Sequence, residues 1–133
     1  MGRVLANLVV SNFGDILTNQ DEVRRIEIKD ALVDTGAAML SLHCDQIAKL
    51  GLRFLRKVSL KTANGPVERN LFGVAQVEIE GRMGEFDVIE VTDDVPVLIG
   101  YIVLEQLDFV VNPSIQRLIP NPANGGKWTL DLY

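Results

Sequence analysis

Apolar residues in this chain recur mostly at every second position, and that period restricts the fold more than any other feature. In "RRIEIKDALV" (24–33), Ile26 and Ile28 alternate with Arg25, Glu27 and Lys29, and the run then turns apolar at Ala31, Leu32 and Val33. Alternation of this kind marks a strand with one wet face, and the apolar end marks its entry into the interior. "VLANLVVS" (4–11), "MLSL" (39–42), "VAQVEIEG" (74–81), "GEFDVIEV" (84–91) and "DFVV" (108–111) read as further strands, and "VPVLIG" (95–100) as a short apolar segment. "NFGD" (12–15) reads as a turn. Asn64-Gly65 lies between two extended segments of "RKVSLKTANGPVERNLFG" (56–73) and signals a two-residue hairpin, with Pro66 directly after it. The helical period surfaces only in "CDQIAKLGL" (44–52), stopped by Gly51, and in "YIVLEQL" (101–107). The tail "NPSIQRLIPNPANGG" reads as irregular, and "KWTLDLY" (127–133) as a last alternating strand. Short strands with turn signals roughly every 8–12 residues predict an all-β barrel or sandwich with one or two short helices.

The chain of 133 residues suits one domain, 1–133. Its net charge of −5 and lack of a basic run argue against nucleic acid and against an anionic membrane surface as partners. A single cysteine excludes an internal disulfide, and "MGRVLANLVVSN" lacks the apolar stretch of a signal peptide or membrane span. Ala6 stands where a myristoylation signal places Ser or Thr, so a cytoplasmic location is the expectation.

Against this ordinary background one stretch stands out. "ALVDTGAAM" (31–39) sets a lone carboxylate, Asp34, at the buried end of a strand. A buried carboxylate is costly without a partner, a hydrogen-bonding cradle or a shared proton. Gly36 lets the backbone turn back towards the carboxylate, and Thr35 offers a stiff, β-branched hydroxyl. A structural turn-former bonded to backbone N–H groups is the plainer reading of Asp34, and general acid–base chemistry the sharper one. His43 and Cys44 are adjacent singletons, read as a solvated histidine and a small core cysteine. Neither suggests a metal site, which needs three or four ligands.

The order "LVDTGA", Asn-Gly hairpin, "VLIG", short helix resembles the retropepsin-like aspartic proteases, including stand-alone bacterial members, over approximately residues 3–119. The resemblance implies a closed retropepsin-like barrel in which Asp34 is catalytic, supported by Thr35, Gly36 and Ala37. It implies a flap at Ala63, Asn64, Gly65 and Pro66, and packing of Leu98, Ile99 and Gly100 under the active-site loop. It implies no cofactor and no metal. The chain holds a single Asp-Thr-Gly, so a second carboxylate would come from another copy across a two-fold axis. The expectation is a homodimeric endopeptidase acting on a peptide or protein substrate. A non-catalytic peptide-binding dimer on the same fold and a monomeric small-molecule binder are the alternatives. Many viral members pair an Asp and an Arg at the positions of Ala38 and Tyr101, so a weak dimer is implied. The extension 121–133 runs past the family's usual end, and Trp128, Leu130 and Leu132 would face a partner.

Overall fold

The computed structural model describes residues 3–130 and 132. Among these residues nine strands follow one another as β1 (Leu5–Asn12), β2 (Arg25–Val33), β3 (Leu40–His43), β4 (Arg53–Thr62), β5 (Gly65–Ile79), β6 (Arg82–Val91), β7 (Leu98–Ile99), β8 (Phe109–Asn112) and β9 (Arg117–Pro120). Three short helices, α1 (Phe13–Thr18), α2 (Cys44–Leu50) and α3 (Tyr101–Leu107), lie between them. The two expected helices occupy the residues the periodicity assigned to them. Hydrogen bonding runs β1-β2-β7-β3-β6-β5 and back from β5 to β1, which closes a ring, while β4 hangs from β5 as an outer strand. β8 and β9 form a separate two-stranded sheet. The chain is thus all-β, as the alternation required.

The switch from alternation to an apolar run in β2 has a local cause. Ala6 pairs with Ala31 but Leu8 pairs with Ile28, so Lys29 and Asp30 bulge opposite Asn7. Asp30 takes φ 59°, and its N–H donates to the Asn7 side-chain oxygen at 3.0 Å. The extra residue changes which positions face inward. Ile28, Ala31 and Val33 are therefore all buried, and Asp34 follows at the end of the strand. Inside the ring, Leu8, Val10, Leu40, Leu42, Val77, Val88 and Ile99 join Leu50 of α2 and Leu107 of α3 in one apolar cluster.

Several elements depart from the sequence reading. "NFGD" opens α1 instead of making a simple turn. Asn12 ends β1 and caps that helix, its Oδ1 accepting from Asp15 N–H at 3.0 Å while its Nδ2 donates to the Leu50 carbonyl at 2.8 Å. One buried side chain thereby satisfies two helix ends. "VAQVEIEG" is no separate strand, because it continues the returning arm of the hairpin through the fifteen residues of β5. The expected last strand is absent at 127–130, which is irregular, and Asp131 and Tyr133 lie outside the described residues. The late strand is instead β9, inside the segment read as irregular.

The tail is nonetheless fastened. Asp108, nearly inaccessible, ends α3 at φ 58° and accepts from Asn121 Nδ2 (3.0 Å), Asn124 Nδ2 (2.6 Å) and Thr129 N–H (3.2 Å). Burial pushes its carboxyl up, but these hydrogen bonds outweigh burial and hold it below the usual range. Arg82 donates to the carbonyls of Leu107, Asp108 and Gly126, with its guanidinium 4.9 Å from the centre of the Phe109 ring.

A second carboxylate ties α1 to Arg24, the residue before β2. Asp15 accepts from Arg24 Nε at 2.8 Å, Nη2 at 2.9 Å and the backbone N–H at 3.0 Å. The Arg24 side-chain bonds first, and its backbone N–H second, lower the Asp15 carboxyl from 3.8 to about 2. A carboxyl depressed on folding stabilises the protein above its unfolded value and loses that contribution as pH falls through its folded value. Asp15→Asn should therefore lower the urea midpoint at neutral pH. The gap to wild type should close as pH falls from 3.8 to about 2. A gap that persists at the acid end would show that the lost interaction is not this ion pair.

Candidate active site

The loop after β2 is built by backbone bonds to the strand and helix beneath it. Asp34 N–H donates to the Ile99 carbonyl at 3.0 Å, and Ala37 N–H to the Asp34 carbonyl at 3.1 Å. From below, Tyr101 N–H reaches the Ala37 carbonyl and Ile102 N–H the Ala38 carbonyl, each at 2.9 Å. The first amides of α3, which lack intrahelical partners, are thus spent on the loop. β7 makes this possible by lying parallel to the end of β2, Leu32 opposite Leu98 and Val33 opposite Ile99.

Gly100 is the tightest point of the arrangement. A Cβ there would stand 2.4 Å from the Ala38 carbonyl carbon and 2.5 Å from Met39 N. Both are backbone atoms that no side-chain rotation can move aside. Ile99 is fully buried in the core, and Leu98 is half-buried. The three residues expected under the loop are brought together there.

Asp34 is half-buried at the rim of this loop. Its Oδ1 accepts from Gly36 N–H at 2.9 Å, and a Cβ on Gly36 would come to 3.2 Å from the same oxygen. The glycine's role here is room beside the carboxylate. Thr35 and Gly36 are exposed and Ala37 is half-buried. An acid on a rigid loop, with one oxygen committed to an amide and the other uncommitted by that bond, can exchange a proton with a group that faces it.

Across from the loop stands the β4–β5 hairpin. Its tip differs by one residue from the sequence reading: Thr62 pairs with Gly65, so the two loop residues are Ala63 and Asn64. Gly65 opens the returning strand at φ 105°, a value open to glycine, and Thr62 Oγ1 donates to its carbonyl at 2.6 Å. Ala63, Asn64 and Pro66 are exposed. A cavity of about 480 Å³ separates hairpin and loop, lined by Gly36, Ala37 and Met39 on one side and Leu60, Thr62 and Val67 on the other. The residues flanking the tip line this space, and Ala63 to Pro66 do not. Arg69, which the sequence reading did not single out, lines it as well. Its signal was position: on β5, Val67, Arg69 and Leu71 share one face, and Leu71 is core.

His43 and Cys44 reverse their expected settings. His43 is half-buried, its Nε2 donating to the Val95 carbonyl at 2.6 Å and its N–H to Gln46 Oε1 at 2.8 Å, so it serves the start of α2. Its potential ligand atom lies within 4.8 Å of those of Asp45 and Asp93, both exposed. With one ring nitrogen committed to a carbonyl and two carboxylates in solvent, this is a weak set for any ion. Cys44 is exposed, and the charge of Glu90 foremost raises its thiol, which opposes a nucleophilic role.

An all-β ring that carries an Asp-Thr-Gly loop on an apolar-apolar-Gly crossing defines the class of retropepsin-like aspartyl proteases. The chain belongs to the family described as gag-polyprotein putative aspartyl protease, whose model matches residues 26–106. No curated protein gives a significant match. No helix is long and apolar enough to cross a membrane among the described residues.

Proposed function

We propose that the chain, taken over 1–133 as one catalytic lobe, is an aspartic endopeptidase that hydrolyses peptide bonds as a homodimer. One observation carries the reading: Asp34 sits on a loop fixed from beneath by Ile99, Gly100, Tyr101 and Ile102, and that loop, through Gly36 and Ala37, faces a hairpin across a cavity of about 480 Å³. Ala63, Asn64, Gly65 and Pro66 form the tip of a flap over the peptide. Thr35, exposed beside Asp34, faces its own mate across the two-fold axis.

Two Asp34 carboxylates brought together on that axis share one proton. The charged one takes a proton from water as the water oxygen attacks the scissile carbonyl carbon. The protonated one gives its proton to the carbonyl oxygen. Collapse of the tetrahedral species breaks the C–N bond and passes a proton to the leaving amine, and the pair again holds one proton. The chemistry calls on no covalent enzyme intermediate and no metal.

Exposed Trp128, Leu130 and Leu132 give the tail apolar area for a partner, while Trp128 Nε1 donates to the Gln106 carbonyl of its own chain at 2.9 Å. Ala38 and Tyr101 offer no ion pair in support, so the dimer is weak. Peptide hydrolysis per chain should therefore rise with protein concentration and level off where sedimentation shows the dimer filled. Activity per chain that stays flat across that range would contradict the assembly. A peptide-binding dimer without catalysis is the second reading, and the absence of cleavage across a broad peptide mixture at several pH values would favour it.

A further inference from the structure

The cavity between loop and hairpin does not end at its apolar wall. A second cavity of about 650 Å³ adjoins it, lined among others by Lys57, Asn70, Glu90 and Thr92, and the two have Arg69 and Val91 in common. Arg69 thus stands at the divide between an apolar compartment, walled by Leu60, Val67, Ile89, Val95 and Leu98, and a polar one.

A cation at this place is unusual. Arg69 projects from the face of β5 that carries Val67 and the buried Leu71, a face where an apolar side chain would be the ordinary choice. It is half-buried, and Nη1 donates to the Glu68 carbonyl at 2.8 Å. The guanidinium presents five N–H donors in a fixed fork suited to a carboxylate. Among the described residues the one ion pair is Arg24 with Asp15, so none of their carboxylates closes on Arg69. Two of the acids nearby are otherwise engaged. Glu90 accepts from Asn70 Nδ2 at 3.3 Å, and Asp94 accepts from the Thr92 hydroxyl. The Thr92 hydroxyl foremost, and the charge of Arg69 least, hold the Asp94 carboxyl below its usual range.

We infer that Arg69 is a specificity-determining residue that binds the carboxylate of one aspartate or glutamate side chain of the substrate, next to an apolar residue held in the inner compartment. Glu68, Glu90 and Asp93 line the outer compartment and repel a second anion, so a single acid is selected over an acidic run. The inference rests on the proposed endopeptidase reading and adds to it the charge of the substrate.

The test is a cleavage profile of a randomised peptide mixture by wild type, Arg69→Gln and Arg69→Glu, with Asp34→Asn as the blank. Wild type should enrich Asp or Glu at one position near the cut by about tenfold to a hundredfold over Gln, the range of a hydrogen bond to a charged group. Arg69→Gln should bring that ratio to about one, and Arg69→Glu should turn the preference to Lys or Arg. Wild-type cleavage without an acid preference, read before any variant is made, overturns the inference and leaves the protease standing. So does a preference that survives in folded Arg69→Gln. Wild-type cleavage no greater than the blank would end both.

Discussion

Asp34→Asn is expected to lower peptide hydrolysis by at least about 10⁴-fold, because the change removes a general base and a general acid together, each worth about 10²–10⁴. In a homodimer one substitution deletes both carboxylates. The amide is nearly isosteric, and its oxygen can still accept from Gly36 N–H, the bond that Asp34 Oδ1 makes at 2.9 Å. The backbone bond from residue 34 to the Ile99 carbonyl does not involve the side chain. Stability should therefore change by less than about 1 kcal/mol. Kinetics on a cleavable peptide, set beside urea unfolding of the same samples, give both numbers. Cleavage by Asp34→Asn within tenfold of wild type would remove the catalytic role. A variant that unfolds would show Asp34 to be a structural turn-former.

Gly100→Ala should produce the opposite pattern, with a large loss of both stability and activity. The added methyl would stand 2.4 Å and 2.6 Å from the carbonyl carbon and oxygen of Ala38 and 2.5 Å from Met39 N. With backbone on both sides, either the loop or the β7–α3 junction must move. Forced overpacking of this kind costs about 3 kcal/mol. Any relief also displaces the loop that carries Asp34, and a shift near 1 Å at a reacting group costs about a hundredfold in rate. The variant's activity, measured at a temperature where circular dichroism shows it folded, should remain low. Wild-type activity and stability together in Gly100→Ala would mean that the tight contact does not set the loop.

The candidate site was legible because its parts are local in sequence. Asp34, Thr35 and Gly36 are consecutive, Leu98, Ile99 and Gly100 are consecutive, and the two groups meet by a short parallel pairing. Both helices could be read for the same reason, each being one apolar face with a glycine or aspartate in left-handed geometry after it. What escaped the sequence were contacts made at a distance. Asn12 looked like a turn residue because its partner, the Leu50 carbonyl, lies 38 residues away. The tail looked like a free arm because the side chains that fasten it, Asp108 and Arg82, belong to α3's end and β6. Removing 121–133 would thus strip hydrogen bonds from a buried carboxylate as well as apolar area from an interface. The hairpin slip of one residue had a smaller cause. Asn-Gly favours the two loop positions, but here glycine's positive φ serves the first residue of the returning strand.

Mixing wild type with Asp34→Asn under conditions of free subunit exchange tests most directly whether two chains share one catalytic centre. At equal concentrations about half of the wild-type chains should sit beside an inactive mate, by random pairing across a two-fold axis. If both carboxylates are required, activity per wild-type chain falls to about half, and it keeps falling as the variant is added in excess, with total protein held above the dimer range. If each chain works alone, activity per wild-type chain stays constant at every ratio, and the shared centre is contradicted.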